Sequence, residues 1–297
     1  MNRTPIAYIE STPPPDVGVV IGMPNAVYQR VDAVSQTQLK AFRRSPFHYH
    51  ARHGIFVPDV FATDDETAEK FAGTLTHCAT LEPEAFPTRY VVGPDVPTRA
   101  AKAWKDFVAD NPDRIAITPR QHAVAFAQAE TLRRIDAVAE ILLGGTCEAS
   151  AFWIDPATGL RCRCRPDCVN PHFGTPHAPM AMILDVKSTK DASRRGVQAS
   201  IARYGYHHQC EWYSRGYGAA SGIEVAGFIF AFVEADYPFA VSVFEVDYES
   251  WGIAQRENRD ALDGLAACRA SGVWPGYSTE PEPIGLPRWA GGTGETY

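Results

Sequence analysis

The run Met182-Ile183-Leu184-Asp185-Val186-Lys187 sets a carboxylate and an amine two residues apart at the end of an apolar stretch. In an extended chain residues i and i+2 share a face, so Asp185 and Lys187 emerge together while Val186 turns the other way. Such a pair is either a surface ion pair, worth about 0–1 kcal/mol, or half of a metal-dependent phosphodiester-cleaving site. The pair alone does not choose, because an Asp-x-Lys arises by chance roughly once in a chain of this size. Its neighbours must decide.

Upstream, in LRCRCRPDCV, strand alternation places Arg161, Arg163, Arg165, Asp167 and Val169 on one face and Cys162, Cys164, Pro166 and Cys168 on the other. Asp167 and Asp185, from adjacent strands, can converge on one divalent cation. Hard oxygen donors suit Mg²⁺, with Mn²⁺ as the alternative, and the Val186 carbonyl between the two side chains is a further ligand. Lys187 beside them would orient an attacking water. The cysteines read as small residues facing a core. C-x-C-x3-C resembles a thiolate site, but no C-x-x-C pair or nearby fourth ligand completes it, so no iron–sulfur cluster is expected. Glu148, in the preceding strand, is an acid that can reach the site from behind the metal ligands, bracing them rather than binding the ion.

Downstream, YGYHHQCEWY carries Tyr206, then Gln209 and Tyr213 at i, i+4 on one helical face. One reading is a helix packing aromatics into the core, which suits Trp212. For Gln209 and Tyr213 an amide and a phenol behind the Asp-x-Lys strand suggest contacts that hold a nucleic-acid strand. His77, from its residue context alone, reads as a helix-face or core histidine.

These residues sit in 297 residues, 45% hydrophobic, enough for a real core. No stretch approaches the ~18 consecutive apolar residues of a membrane span, and MNRTPIAYIESTPPPD lacks the apolar core of a secretion signal. A cytoplasmic protein without a membrane partner is the expectation. The net charge of -7, taken alone, argues against nucleic acid. The charge is uneven, however: Arg30, Lys40, Arg43, Arg44 and Arg52 face only Asp32 in their stretch, and Lys187, Lys190, Arg194, Arg195 and Arg203 face only Asp185 and Asp191. Acids gather elsewhere, as in PDVFATDDETAEK, so a basic groove on an acidic body and two ordinary solvated helix faces both remain open.

Periodicity predicts the elements that must position the candidates. Residues 1–30 read as a loosely attached leader, and 31–297 as a single domain. Helices are expected over SQTQLKAFRRSPFHYHARHG, kinked or broken at Pro46, over TAEKFAGTLTHCATLEPEAF, and over TPRQHAVAFAQAETLRRIDAVAEILLGG. CEASAFWIDPATGLRCRCRPDCV reads as two strands around a DPATG turn, followed by a loop, NPHFGTPHAP, and the strand MAMILDVKS. A helix from Gly196 to Tyr217, a strand pair joined near Tyr237-Pro238, a helix from Tyr248 to Ala270 and an irregular tail complete the order. It implies an α/β fold with a central mixed β-sheet flanked by α-helices.

With Asp167, Asp185-Val186-Lys187 and Gln209-x3-Tyr213 in place, the sequence resembles the PD-(D/E)xK nucleases. Within them it is similar to the RecB-type branch with a Q-x3-Y helix, and most to the exonuclease VIII (RecE) C-terminal nucleases. The resemblance runs from VSQTQLKAFRRSPFHYHAR through GTLTHCATLEPEAF, RCRCRPD, ILDVKSTKDAS and YGYHHQCEWY to the WPGY…LPRW tail. It implies a restriction-endonuclease-like core and, at His77, a further metal ligand beside Asp167, Asp185 and Val186. Catalysis would then fall to Asp167, Asp185, Lys187 and His77, and DNA contact to Gln209, Tyr213, Arg165 and Tyr206. The implied activity is Mg²⁺-dependent 5'→3' degradation of linear double-stranded DNA, leaving a 3' strand for a single-strand annealing partner. A homo-oligomeric ring, a tetramer, is implied as well. A nuclease acting on single strands or internally, and a DNA-binding subunit without turnover, are the competing readings.

Overall fold

The computed structural model describes residues 2–10, 12–53, 67–175 and 177–286. Most of the acidic stretch before residue 67, Pro176 within the expected loop, and the tail from 287 lie outside the described residues. In chain order, β1 (Ile6–Ala7) and β2 (Gly18–Ile21) precede α1 (Asn25–Arg30), α2 (Gln36–Arg44) and α3 (Pro46–His53). Next come α4 (Ala68–Leu81), α5 (Phe86–Arg89), β3 (Tyr90–Val92), α6 (Lys102–Asp110), β4 (Ile115–Ile117), α7 (Pro119–Arg133) and α8 (Asp136–Gly144). β5 (Thr146–Cys147), β6 (Ser150–Ile154), β7 (Arg161–Cys164), β8 (Cys168–Thr175) and β9 (Ala178–Thr189) follow. The chain continues through α9 (Arg194–Tyr204), α10 (Tyr206–Ser221), β10 (Glu224–Glu234), β11 (Val241–Glu245) and α11 (Tyr248–Ser271).

The central sheet has the order β11-β10-β9-β8-β5, with β9 and β10 parallel and the other pairs antiparallel. Helices cover both of its faces. On one face Ile183, Phe228, Phe230 and Phe232 pack with Trp212 of α10 and with Leu262 and Leu265 of α11. On the other, Leu184, Val186, Ile229, Ala231 and Val233 meet Leu81 of α4, Leu132 of α7 and Val138 and Ile141 of α8. Each large side chain so buried contributes about 1.5–3 kcal/mol. Burial on both sides explains why β9 and β10 read as near-continuous apolar runs. It also makes Asp185, fully buried among them, an expensive exception.

A second sheet, β1-β2-β6-β7, stands beside the first, and β3 and β4 form a small parallel pair that the sequence pattern did not reveal. The expected leader is packed from Gly18 onward. Val19 and Val20 of β2 are buried, and β2 pairs antiparallel with β6. The arginines read as one stripe explain why. Arg161 donates to the carbonyls of Pro14 and Pro15, Arg163 to those of Tyr28 and Val31, and Arg165 to that of Met23. The stripe therefore clamps the N-terminal segment. The alternation of LRCRCRPDCV also resets at Pro166: Cys162, Cys164 and Val169 enter one core cluster and Cys168 enters the other.

Three further boundaries differ from the periodic reading. The loop NPHFGTPHAP supplies most of β8 and the start of β9, so Asp167 and Asp185 are joined by a strand hairpin. The helix expected over 118–145 divides between α7 and α8 around Ile135, which is extended. The helix expected from Gly196 divides at Gly205, whose φ of 72° caps α9 and opens α10 in another direction. The break at Pro46 falls as expected, with Ser45 extended between α2 and α3.

α10 lies close over β6 because Gly216 has no side chain. A Cβ there would meet the Trp153 indole at 2.4 Å, and that indole packs against Trp212 with centroids 5.0 Å apart. Gly216→Ala is expected to lower stability by about 1–3 kcal/mol through overpacking. Gly218→Ala, where a Cβ meets only the Ile223 carbonyl at 3.5 Å, is expected to be neutral or stabilising. Urea denaturation of the two variants checks this; equal midpoints would contradict the packing.

Candidate active site

Cys168 of β8 stands opposite Leu184 of β9. One residue further in the same antiparallel register, Asp167 faces Asp185. β8 has ended there, and the Asp167 carboxylate takes the place of its backbone: Oδ2 accepts the Val186 N–H at 2.7 Å. A strand residue's N–H and C=O lie on the same side, so the Val186 carbonyl is directed at the same gap.

α4 brings His77 to this gap. Thr67 caps the helix by accepting from the Lys70 N–H, Leu75, Thr76 and Cys78 to Leu81 are buried, and His77 is left at the helix margin. Its Nε2 lies 3.0 Å from Asp167 Oδ2 and its Nδ1 3.5 Å from Glu148 Oε1. Glu148 reaches it from a left-handed backbone, φ 57°, directly after β5. That conformation costs a non-glycine residue roughly 1 kcal/mol or more. The Glu148 N–H donating to the Asp167 carbonyl at 2.9 Å and Arg165 Nε donating to Glu148 Oε2 at 2.5 Å hold it. Spacing in the sequence suggests an acid nearby; it does not encode this turn, which places Glu148 among the donors.

Lys187 completes the arrangement as an ion-pair partner of Asp185, its Nζ 5.0 Å from the centre of the Tyr206 ring. Gln209 Nε2 donates to the other oxygen, Asp185 Oδ2. Gln209 and Arg165, both expected at the DNA, thus hold carboxylates of the site. Tyr206 packs on Phe230 and Phe232 beneath Lys187, and the half-buried Tyr213 sits 6.5 Å from Phe228, centre to centre. The structure brings His77, Asp167, Asp185, Val186, Lys187, Gln209 and Tyr206 together around the end of β9. Tyr213 stands one helical turn further along α10.

Like charges this close cannot all ionise freely. Burial, then the Asp167 carboxylate, push Asp185 up to about 7 against the pull of Lys187. Burial also raises Asp167, but His77, Lys187 and the Val186 N–H outweigh it and hold the carboxyl below its usual range. Burial raises Glu148 as well, against the attraction of His77. For Lys187, burial is overcome by Asp185 and Asp167, which raise it above the ordinary lysine value. His77 behaves alike: burial lowers it, and Asp167 followed by Glu148 lift it to about 9.

The donor set fits a hard divalent cation. The ligand atoms of His77, Glu148 and Asp167 all lie within 4.8 Å of one another, and the three crowded acids need positive charge. His77, Glu148, Asp167 and the Val186 carbonyl would hold the ion. Both oxygens of Asp185 are engaged, by Lys187 and Gln209, so Asp185 would join only by exchanging a partner.

Comparison with known proteins addresses the family and the fold. No curated protein sequence matches the chain. Its shape is similar to a crystal structure of a "Putative exonuclease" from Eubacterium rectale, with a TM-score of 0.54, 12% identity, and 86% of this chain and 91% of that one covered. At that identity the likeness concerns the fold. The crystal structure of SSO0001, at a TM-score of 0.26 and 10% identity over 65% of this chain and 86% of that one, is too distant to carry an argument. Residues 35–285 match the family described as a PDDEXK-like domain of unknown function (DUF3799), a span that contains every residue of the site. The chain belongs to this PDDEXK-like family.

Proposed function

We propose that the protein is a divalent-metal-dependent exodeoxyribonuclease that degrades linear double-stranded DNA 5'→3' and leaves 3' single strands for annealing. The observation that carries this reading is the convergence of His77, Glu148 and Asp167 beside the Asp185–Lys187 pair. Carboxylates alone would repel a phosphodiester; carboxylates around a cation, with a lysine at their edge, accept one. Family membership supports hydrolysis of a nucleic-acid backbone, and the resemblance to the RecE-type nucleases supports end-dependent action. No helix of the described residues is long and apolar enough to cross a membrane.

Mg²⁺ or Mn²⁺, when bound, supplies a Lewis acid that neutralises charge building on the phosphate. The chain's own groups have separate tasks. Lys187 is held protonated, so it acts as a donor that orients the attacking water or a phosphate oxygen. Gln209 and Lys187 fix the rotamer of Asp185, and the Val186 N–H fixes that of Asp167. Arg165 keeps Glu148 turned toward His77. DNA threading through a ring of subunits would reconcile the acidic overall charge with a basic inner surface.

Two outcomes test the reading. With Mg²⁺ and linear duplex labelled at one end, early loss of the 5' label is expected, closed circular DNA should resist, and Lys187→Ala should slow release by about 10²–10³-fold. Early loss of the 3' label, or cutting of circles, would replace the proposed polarity or end requirement; no release by the wild type would leave a binding subunit.

The second outcome concerns protons. A ligating His77 must be neutral, and in the metal-free protein it holds its proton up to about pH 9. Its stabilising contribution without metal is therefore fully present below about pH 6.5 and lost as pH rises through about 9. Mn²⁺ affinity, followed by calorimetry from about pH 7 to about pH 8.5, should rise by up to about tenfold per unit, with proton release. His77→Asn should flatten that slope. A pH-independent wild-type affinity would remove His77 from the ligand set.

A further inference from the structure

The stretch YGYHHQCEWY holds two histidines that the site around β9 does not use. His207 and His208 occupy the first turn of α10, directly before Gln209, and their rings stand 4.0 Å apart, centre to centre. Glu257 comes to them from α11, its Oε2 2.6 Å from His208 Nε2. One ring nitrogen of each histidine and one Glu257 oxygen all lie within 4.8 Å of one another.

The geometry points to a second metal site, for a borderline divalent cation such as Zn²⁺, held by His207, His208 and Glu257 and linking α10 to α11. It shares no residue with the His77, Glu148 and Asp167 group. It also stands whether or not the chain cuts DNA. The first reason is the state of the two rings. His208 is only 8% exposed, yet its Nδ1 has no hydrogen-bond partner, and neither has the buried Nδ1 of His207. Buried polar nitrogens left idle are costly and uncommon. A plain hydrogen bond to Glu257 accounts for His208 Nε2 and does not involve His207. An ion between the three side chains would draw a lone pair from each ring and balance the carboxylate.

The second reason is the kind of donor. Two imidazoles and one carboxylate suit Zn²⁺, whereas Mg²⁺ and Ca²⁺ prefer oxygen throughout. The Glu257 side chain is 51% exposed, so water can complete a tetrahedral shell from that side. Arg43 is the cation that faces the group. It is turned to Asn258 Oδ1 at 2.7 Å, and Glu257 and Glu211 offset its charge. Burial, with Arg43 adding to it, holds both rings below the usual histidine range, so neutral imidazoles are on offer.

The place of the site in the fold gives the ion a task. α11 already grips this turn of α10, since Asn258 donates to the His208 carbonyl at 3.0 Å and to Glu211 Oε2 at 2.5 Å. An ion shared by the two helices tightens that grip one residue before Gln209, whose amide holds Asp185. Bound metal therefore braces the helix start that positions Gln209.

Equilibrium dialysis of the chelator-stripped full chain against micromolar Zn²⁺, with elemental analysis, counts the ions. Zn²⁺ also suits the His77 site, so the comparison is made in a His77→Asn background. That chain should retain one zinc, and adding either His207→Gln or Glu257→Gln should lose it or weaken it at least about tenfold. Glu257 is exposed and His207 half-buried, so both changes should leave the core folded, as circular dichroism will show. Zn²⁺ should also raise the melting temperature of the His77→Asn chain, a gain that either added substitution removes. Equal zinc counts with and without the added substitutions, or binding at millimolar Zn²⁺ only, overturn the site. A count that falls as expected without any thermal gain overturns the brace between α10 and α11. Neither readout uses DNA, so failure here leaves the nuclease reading as it stands, and a failed nuclease assay leaves this site.

Discussion

Two aspartates facing each other across the last step of a strand pair set the terms for this fold. Asp167 and Asp185 meet where β8 stops and β9 continues, and Asp185 is wholly buried. Two carboxylates in a poorly solvated place repel by several kcal/mol unless compensated. Compensation arrives from four directions: Lys187 two residues along the same strand, the Val186 N–H between them, His77 from α4 and Gln209 from α10. It is also unequal. Asp167 receives His77 and a backbone amide and stays ionised, while Asp185 is lifted toward neutrality. Elements far apart in the chain must therefore be docked on the end of β9 before the two acids can be tolerated.

α10 shows how one element answers several of these demands. Its start at Gly205 turns the helix so that Tyr206 lies under the Lys187 ammonium and Gln209 reaches Asp185. Further on, Trp212 fills the core and donates from Nε1 to the Arg163 carbonyl, tying the helix to β7. The helix is anchored on the other side by Asn258 of α11, whose amide donates to the His208 carbonyl and to Glu211. A shift of α10 would disturb the apolar core and the Asp185 carboxylate together.

Legibility in the sequence followed the range of the interaction. Asp185 and Lys187 were readable because strand period alone puts them on one face, and the apolar run around them announces a sheet buried on both sides. Asp167 was readable as an acid on a neighbouring strand, though not its register, which depends on the β8–β9 hairpin hidden in NPHFGTPHAP. Gln209 stood out by its spacing from Tyr213, but spacing could not say that it would turn inward to Asp185. Glu148 was visible only as a nearby acid, because its left-handed turn is imposed by tertiary contacts. Least legible was the use of Arg161, Arg163 and Arg165: alternation sets them in one stripe, and main-chain carbonyls of residues 14–31 accept from all three. Carbonyl acceptors leave no trace in a sequence.

That clamp changes the standing of the N-terminal segment. The Met23 carbonyl accepts from Arg165, Arg165 pairs with Glu148, Glu148 faces His77, and His77 contacts the carboxylate that holds the Val186 N–H. A continuous polar path therefore joins residue 23 to the strand that carries the lysine. Arg163 extends the same logic by binding the carbonyls of Tyr28 and Val31 just before α2 begins. Because β7 runs directly into Asp167, the residues that fix the N-terminal segment and the residue that anchors the site belong to one short stretch. Buried charge placed there stabilises less than an apolar core of equal volume would. What it imposes is geometry: Glu148 turned toward His77, and His77 in contact with Asp167.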